Sequence, residues 1–335
     1  NGSFNLNSSG NNTLTSTNDL SSIVSNNLDY NSYNQYFNNG VKSNYGFSLK
    51  NINTLGKKNS LYKNSPQSEL MSSYIFNASL PLIKNTNKSI NSLEPKMSFR
   101  FSPHEMKTNS VLERRVDINN IYNNNRLSMD NSYEGGESFT IGLDYKKNKI
   151  TYKNNIKEIE DFLEFKIATV FRDKEEKNIP TNSTLDKKQS NIFGQLNFKP
   201  NSIFSLNYDF SIKNDLNTVE YNSVDAIFDL YNFTTKFNFL QERGQLGDLD
   251  VLENTTKYNF NKANSLLFKT RRNRNLNLTE YYDLIYEYQN DCLVAAIQYK
   301  KNYYNDADIK PVEELFFSIT IIPLTTFSPD KLILR

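Results

Sequence analysis

Apolar and polar residues alternate with a period of two along most of the chain. In 204–212 each even-numbered residue is apolar or aromatic and each odd-numbered residue is polar, and the pattern recurs with few exceptions in 231–239 and 276–288. Successive side chains of a strand point to opposite faces, whereas apolar residues of an amphipathic helix recur every three or four positions. The alternation therefore predicts strands with one apolar and one polar face.

The alternation predicts fifteen or sixteen strands, depending on whether the weakly patterned, Asn- and Ser-rich stretch 1–26 contributes one. The fifteen clear strands cover 27–37, 40–52, 69–81, 92–102, 136–147, 161–172, 188–199, 202–213, 216–227, 230–242, 249–260, 263–274, 278–289, 291–304 and 313–323. Most are about 10 to 13 residues long, whereas globular strands usually have about 5 to 6 residues. A tilted strand crosses a bilayer with about 9 to 11 residues, so these lengths favour membrane-spanning strands.

The connections between the predicted strands alternate between short and long. Tight turns are predicted at 38–40, 200–201, 261–262 and 290–291, and longer polar loops at 53–68, 103–135, 173–187, 243–248 and 305–312. Outer-membrane barrels join their strands by short periplasmic turns and longer outer loops. The pattern therefore predicts an all-β, antiparallel transmembrane β-barrel. The segment 148–160 is long for the periplasmic side and is interpreted as a local insertion.

Composition favours this barrel over a soluble β-sandwich, which would also show alternation. Hydrophobic residues make up 37% of the chain, yet 13% are aromatic, as 23 Phe and 21 Tyr, which is too many for a disordered chain. Two sheets of strands this long would need a very large apolar core, and the apolar content is low for that. A barrel needs an apolar residue only at every second strand position, and its Tyr and Phe would form the interfacial aromatic girdle.

Charge and rare residues exclude several function classes. The net charge is +2, whereas nucleic-acid binding usually requires a clear basic excess. One cysteine, Cys292, and one histidine, His104, are too few for a Cys/His metal site, and His104 is expected to be an exposed loop residue. Nucleotide-binding and zinc-protease motifs are absent, so we predict neither cofactor nor catalytic residues, and no enzyme.

The polar strand faces are predicted to line a wet lumen, because the inward face of a large barrel contacts water or a plug. The candidate lumen residues are Glu94, Lys96, Arg100, Asp209, Lys213, Asp283 and Glu287. Any water-filled interior requires polar side chains, so these residues by themselves predict no particular ligand.

Two segments resemble a specific family. The first comprises 92–101 and the loop after it, with 120–122, 125–127, Asp130 and 134–136; the second comprises 286–292, 298–300, an acidic loop through Asp306 and Asp308, and 315–321. In order and spacing they are similar to the C-terminal half of the lipopolysaccharide-assembly protein family LptD, over roughly 90–323. The family-motif loop is represented by Asn125, Arg126, Glu134, Gly135 and Gly136.

The resemblance implies a very large barrel in the outer membrane of a Gram-negative bacterium, with a periplasmic jelly-roll domain and a plug lipoprotein of the LptE type. Lipopolysaccharide would arrive from periplasmic bridge proteins and leave into the outer leaflet through a lateral opening between the first and last strands. The last-strand side of this gate would comprise Leu315, Phe317, Ile319, Ile321 and Pro323.

The resemblance also implies a disulfide from Cys292 to the N-terminal periplasmic domain. Family members often carry two adjacent cysteines at this position, but Leu293 follows here, so at most one such bridge is expected. The chain 1–335 is accordingly expected to be a partial barrel without the jelly roll and first strands, and with a C-terminal tail at 324–335.

Two other functions are compatible with the strand pattern. A general porin or substrate-specific channel is the first alternative, although a porin normally ends at an aromatic residue and this chain continues past Phe327. A soluble or surface-exposed β-rich adhesin is the second, and the outward Phe, Tyr and Leu faces argue against it.

Overall fold

The computed structural model describes residues 1–59, 62–153, 156–243, 248–304, 310–322, 325–327 and 332–334. Their strands are β1 (Gly2–Leu14), β2 (Leu20–Ser32), β3 (Gln35–Tyr36), β4 (Lys42–Lys57), β5 (Gln67–Ser79), β6 (Leu82–Asn85), β7 (Ser89–Ser102), β8 (Gly136–Lys153), β9 (Ile156–Arg172), β10 (Ile192–Phe198), β11 (Phe204–Ile212), β12 (Val219–Leu230), β13 (Phe233–Glu242), β14 (Leu249–Asn259), β15 (Asn264–Asn273), β16 (Leu278–Gln289), β17 (Leu293–Asn302), β18 (Val312–Ile321), β19 (Thr325–Phe327) and β20 (Leu332–Leu334). One 3-10 turn covers Thr181–Ser183. No helix in these ranges is long and apolar enough to cross a membrane.

The chain divides into two compact units. The first comprises 1–147, 165–194 and 212–217. Within it β1, β2, β4, β5 and β7 pair successively in antiparallel order. The short strands β3 and β6 pair with β4 and β7.

The second unit comprises 148–164, 195–211 and 218–335. In this unit β12 to β18 form an antiparallel meander in which each strand pairs with the next. The other edge of β18 pairs with β19 and β20, so that Ile319 opposes Phe327 and Leu315 opposes Leu332. The predicted all-β, antiparallel class is confirmed, and every predicted strand overlaps a strand of the structure.

The start of the chain is more regular than its weak pattern indicated, and the bounds of the first clear strand are corrected. β1 and β2 form a regular hairpin, so the stretch 1–26 is structured and the predicted strand 27–37 begins too late. Phe4, Leu6 and Leu14 do share one face of β1, but Asn and Ser occupy most other positions on both faces. The backbone ladder that holds the hairpin does not depend on side-chain polarity, so hydropathy alone missed it.

The predicted insertion at 148–160 is also corrected. β8 continues to Lys153 and β9 begins at Ile156, so most of this segment belongs to two long strands. Its Lys, Asn, Glu and Asp residues obscure the alternation, because several consecutive positions are polar.

The C-terminal prediction was wrong in a way that bears on function. The predicted tail 324–335 contains β19 and β20, which both pair with β18. The strand predicted at 313–323 is therefore not the last one. Strands of three residues are shorter than any window in which alternation can be recognised. Pro323, assigned to the gate, lies outside the described residues.

The four predicted tight turns are confirmed, and asparagine side chains stabilise all of them. In the turn at 38–40, Asn39 Oδ1 accepts a hydrogen bond from the backbone N–H of Val41 at 3.1 Å. Asn201 Oδ1 accepts hydrogen bonds from the backbone N–H of Ile203 and Phe204, at 3.0 and 2.9 Å. Asn261 and Asn290 make the equivalent contacts with the N–H groups two and three residues further on. Asn side chains commonly stabilise tight turns in this way, which accounts for part of the asparagine content.

The strands bury polar side chains and expose apolar ones. On β7, Ser98 and Arg100 are each 2% exposed, whereas Met97 and Phe99 are 44% and 45% exposed. The second unit repeats this arrangement, since on β16 Asp283 is buried between exposed aromatic and aliphatic residues. Soluble proteins show the opposite distribution, and only a hydrocarbon environment favours apolar outer faces on paired strands. The burial pattern therefore argues against the sandwich and the adhesin.

Candidate functional site

Two long connections of the first unit fold onto the polar face of its strands. They are 103–135, which we call the long loop, and 173–191. Together with β9 and β10 they form an apolar core of Met106, Val116, Ile118, Ile121, Leu127, Met129, Ala168, Val170, Ile179, Leu185 and Phe193. Both had been predicted as polar loops. Their apolar residues have no regular spacing, so nothing in the sequence indicated that they pack together.

A buried ion cluster attaches the long loop to the strands. Arg126 donates from Nε and Nη2 to the two carboxylate oxygens of Glu134, at 2.8 and 2.6 Å. Arg172 of β9 also contacts this carboxylate and donates to the carbonyl oxygen of Gly135. Arg100 of β7 donates to the carbonyl oxygen of Glu134 at 2.7 Å. All four charged side chains are buried, at most 8% exposed.

The cluster places three guanidinium groups around one carboxylate, a formal charge of +2 in a buried position. Burial by itself would raise the pKa of Glu134, but the charges of Arg126 and Arg100 outweigh it and hold this pKa at about 2. Arg100 Nη2 and Arg172 Nε have no hydrogen-bond partner among the described residues. The Glu134 carboxylate is therefore the group that makes burial of these arginines tolerable.

Asn124 provides a second attachment of the long loop. Its Nδ2 donates to Ser48 Oγ at 2.9 Å and to the carbonyl oxygen of Ser73 at 3.2 Å. Ser73 Oγ donates back to Asn124 Oδ1 at 2.6 Å, and Arg100 Nε donates to the Asn124 carbonyl oxygen at 2.9 Å. One loop residue thus bonds to β4, β5 and β7 at once.

Tyr122 of the long loop packs closely against β8. At Gly142 a Cβ atom would lie 2.6 Å from the carbonyl oxygen of Ile167 and would also collide with the Tyr122 hydroxyl. Lys96 lies 5.8 Å above the Tyr122 ring and forms a 2.5 Å ion pair with Asp144. Burial raises the pKa of Tyr122. Glycine is therefore required at 142 for the loop to approach the strand.

The residues predicted to line the lumen lie mostly on polar strand faces. Glu94, Lys96 and Arg100 share one face of β7. Two more, Asp283 and Glu287, share one face of β16.

In β11, Asp209 Oδ1 accepts a hydrogen bond from Gln195 at 2.7 Å. Lys213 lies beyond the end of β11, in the connection to β12, because this strand ends at Ile212. That these side chains face a lumen stays a prediction.

Three residues of the site were missed by sequence reasoning. They are Arg172, Asn124 and Lys50, whose Nζ donates to the carbonyl oxygens of Met129 and Asp130 at 2.6 and 3.0 Å. For Arg172 and Lys50 the sequence did contain a signal, because each is a long cationic residue within a predicted strand. Asn124 stands in a run of three asparagines, and nothing distinguished it from its neighbours.

His104 and Cys292 take no part in the ion cluster. His104 is exposed, with Nε2 at 3.4 Å from Ser72 Oγ. Cys292 is an exposed free thiol in the turn between β16 and β17. The described ranges contain no group of three or more His, Cys, Asp or Glu side chains suited to a metal ion.

A comparison with protein families decides which class of membrane protein this is. The family described as LPS transport system D, LptD, matches residues 11–262. This chain belongs to the LptD family. The match includes Arg126 and Glu134 of the long loop, and it begins at residue 11, in a part of the chain where only a strand pattern had been recognised. The second resembling segment, 286–321, lies beyond the matched residues.

Solved structures similar to this LptD-family chain include a siderophore receptor and porins. The siderophore receptor PirA from Acinetobacter baumannii is 9% identical with a TM-score of 0.37, over 90% of this chain and 56% of that one. An engineered porin of Rh. blastica is 12% identical with a TM-score of 0.29, over 97% of this chain and 100% of that one. This chain thus spans little more than half the length of the receptor. No curated protein matches it.

Membership of the LptD family confirms the predicted outer-membrane location and the barrel class. The family is described as a transport system, and two residues predicted to belong to the family-motif loop, Arg126 and Glu134, form part of the buried ion cluster. In this LptD-family chain these two residues join the long loop to the strands, because Glu134 contacts Arg100 and Arg172 and Arg126 donates to hydroxyls of β8.

Lowering the pH is expected to loosen the long loop. The pKa of Glu134 is about 2 in the folded protein and near 4.5 for an ordinary glutamate, so its contribution to stability is complete above pH 4.5 or so and is lost as the pH falls towards 2. Limited proteolysis of the full-length protein in detergent with pepsin, which is active at acid pH, should show increasing cleavage in 103–135 below about pH 4. The variant Glu134→Gln should already be cleaved at pH 5, with little further change. Equal pH dependence in both proteins would contradict this assignment.

Proposed function

We propose that this chain is the membrane-embedded transport portion of a protein that carries lipopolysaccharide through the outer membrane and releases it sideways into the outer leaflet. The observation that carries the proposal is the inverted burial of the strands, in a chain that belongs to the LPS transport family. Apolar outer faces suit lipid, and polar inner faces suit the charged sugar part of the cargo. No bond of the cargo changes, so no catalytic group is needed.

Sideways release requires two strands that can separate, because acyl chains would be costly in a hydrated lumen. The prediction assigned this role to Leu315, Phe317, Ile319 and Ile321 of β18. Since β18 is paired on both edges, we place the gate one strand further on, at the outer edge of β19 and β20. The opposing edge would be the first strand of the full-length barrel.

The remaining partners follow from the family and belong to this proposal. We expect a periplasmic jelly-roll domain and further strands outside this chain, a plug lipoprotein of the LptE type, and periplasmic bridge proteins that deliver lipopolysaccharide. Cys292 would form one disulfide to the periplasmic domain. Its exposure, in the tight turn between β16 and β17, is compatible with such a bridge.

Locking the proposed gate should stop export. In full-length protein carrying Cys292→Ser, a cysteine at Thr326 of β19 would be paired with a cysteine on the first barrel strand. After oxidation we expect lipopolysaccharide to disappear from the cell surface, and reductant to restore it.

The control joins Thr320→Cys to Thr326→Cys. These residues are direct partners between β18 and β19, so this disulfide leaves the gate free. Surface lipopolysaccharide should then remain normal. Normal export with the gate locked would refute lateral release, and loss of small-solute permeation alone would favour a porin.

A further inference from the structure

The hairpin of β8 and β9 is much longer than the strands that follow it. β8 and β9 have 18 and 17 residues, whereas β10 and β11 have 7 and 9. Just after the end of β10, the backbone N–H of Lys199 donates to the carbonyl oxygen of Phe162 at 2.9 Å. Residues 156–161 of β9 therefore extend beyond the turn at 200–201, by about 20 Å at about 3.3 Å per residue. Tight turns of outer-membrane barrels lie on the periplasmic side, so this hairpin end is expected to project into the periplasm.

One face of the hairpin end is charged. Lys149 lies 4.0 Å from the centre of the Phe162 ring, and Thr151 Oγ1 donates to Glu160 Oε1 at 3.3 Å. The Phe162 ring packs against Phe198, with 5.5 Å between the ring centroids, and Phe198 belongs to the apolar face of β10. The charged face of the hairpin end therefore continues the lipid-facing side of the strands.

The other face of the hairpin end is apolar. Asn148 Nδ2 donates to Asp161 Oδ1 at 3.2 Å, so these two residues share this face. Alternate residues of a strand point to the same side, which places Ile150, Tyr152 and Ile159 on the same face. We call these three residues the hairpin patch. Tyr152 and Ile159 are 67% and 52% exposed, and exposed apolar residues that stand together mark contact sites, unlike single ones.

Membrane lipid and a second copy of the chain are both on the wrong side to cover the hairpin patch. Lipid meets the side of the strands that carries Phe162 and Phe198, and the patch lies on the opposite face. A second barrel in the same membrane approaches through lipid, so it would also meet the charged face. The occupant of the patch therefore comes from the aqueous periplasm.

The size and border of the hairpin patch suit a contact that forms and breaks. It comprises three apolar side chains, bordered on the same face by the exposed residues Lys157 and Asp161. Permanent interfaces are larger and more apolar, whereas small contacts with a polar rim are usual for transient partners. These properties favour a separate protein over a permanently attached domain.

We propose that the hairpin patch is the docking site of a separate, water-soluble periplasmic protein that presents an apolar side chain next to a carboxylate. The apolar group would contact Tyr152 and Ile159. The carboxylate would pair with Lys157, because Asp161, the other charged residue of this face, already accepts a hydrogen bond from Asn148. A charge pair at the rim of an interface mainly determines which partner binds and how fast. The inference does not depend on what the barrel transports.

The first test measures how fast N-ethylmaleimide labels an introduced cysteine in the full-length protein, by mass spectrometry of the hairpin peptide. Tyr152→Cys places the thiol in the patch. The control, Ile156→Cys, lies on the charged face of the same hairpin, where the native side chain has the same exposure of 67%. In intact cells Tyr152→Cys should react about tenfold more slowly than the control, which corresponds to about 1.4 kcal/mol. In purified protein in detergent, the two should react at similar rates.

Two outcomes of this labelling experiment would overturn the proposal. One is equal labelling of Tyr152→Cys and Ile156→Cys in cells. The other is protection of Tyr152→Cys that persists when the purified full-length protein is placed in vesicles of phospholipid and lipopolysaccharide, because lipid or the protein's own periplasmic domain would then be the cover.

A second test identifies the class of the occupant and the charge that it carries. A photo-crosslinking residue in place of Tyr152 should form an adduct with a protein in cells, and the same residue in place of Ile156 should form none. Lys157→Glu should abolish the adduct and Lys157→Arg should retain it, because only the first reverses the charge. An adduct with lipopolysaccharide, or equal protein adducts in both Lys157 variants, would contradict the proposal.

Discussion

Replacing Glu134 by Gln is expected to lower the free energy of unfolding of the protein by about 3 to 5 kcal/mol. The substitution keeps the shape of the side chain but removes the one carboxylate among three buried guanidinium groups. Arg100, Arg126 and Arg172 would then repel one another without a counter-ion in a region that water does not reach. Removing one partner of a buried ion pair costs far more than the pair contributes, because the remaining charge stays desolvated.

Chemical denaturation of the full-length protein in detergent measures this effect, with proteolysis of 103–135 as a local reporter. The control is Glu137→Gln, which neutralises an exposed carboxylate three residues away on β8. We expect the control to change stability by no more than about 0.5 kcal/mol. If Glu134→Gln lowers the free energy of unfolding by less than about 1 kcal/mol, water or another group must already compensate the charges of the three arginines.

The second large effect is expected for Ile121→Ala in the long loop. Ile121 is 1% exposed in the apolar core that joins the long loop to β9 and β10. Truncating a buried Ile to Ala removes its transfer free energy and leaves a cavity, for a combined loss of about 2 to 5 kcal/mol. The same denaturation measurement should show this loss, together with faster cleavage of the long loop.

The matched control for the loop core is Val111→Ala, because Val111 belongs to the same loop but is 77% exposed. It should leave stability unchanged within about 0.5 kcal/mol. If both variants were equally mild, the long loop would be a solvated connection of the kind that its polar composition suggests. A large difference between them would establish that the loop is a packed part of the first unit.

The two predictions concern one structural arrangement. The ion cluster and the apolar core hold the same loop on the polar face of the strands, and Asn124 and Tyr122 add contacts at its centre. A cavity of about 530 Å³ lies at the end of this loop, and four consecutive loop residues, 128–131, form part of its wall. Variants that release the loop should therefore also open this cavity, although Glu134 and Ile121 do not line it.

The amino-acid sequence by itself determined the strands, their two-faced character and the membrane environment. These properties are local, since side chains at successive positions of a strand point to opposite faces whatever the rest of the chain does. The family resemblance was likewise recognisable, because it depends on the order and spacing of short segments such as 125–127 and 134–136. Sequence patterns failed where alternation was diluted by asparagine, in β1, or confined to three residues, in β19 and β20.

Only the tertiary structure decided where the long loop lies and what its charged residues Arg126 and Glu134 do. Glu134 meets Arg100 and Arg172, residues 34 and 38 positions away, and no local pattern connects them. The apolar core residues of the loop show no periodicity in the sequence. A loop has no repeating backbone geometry, so the residues that it buries need not recur at a fixed spacing. Contacts between distant segments decide which arginine is paired and which amide has no hydrogen-bond partner. They also decide which strand edge is free. Such contacts exist only after the strands have paired and the loop has closed over them.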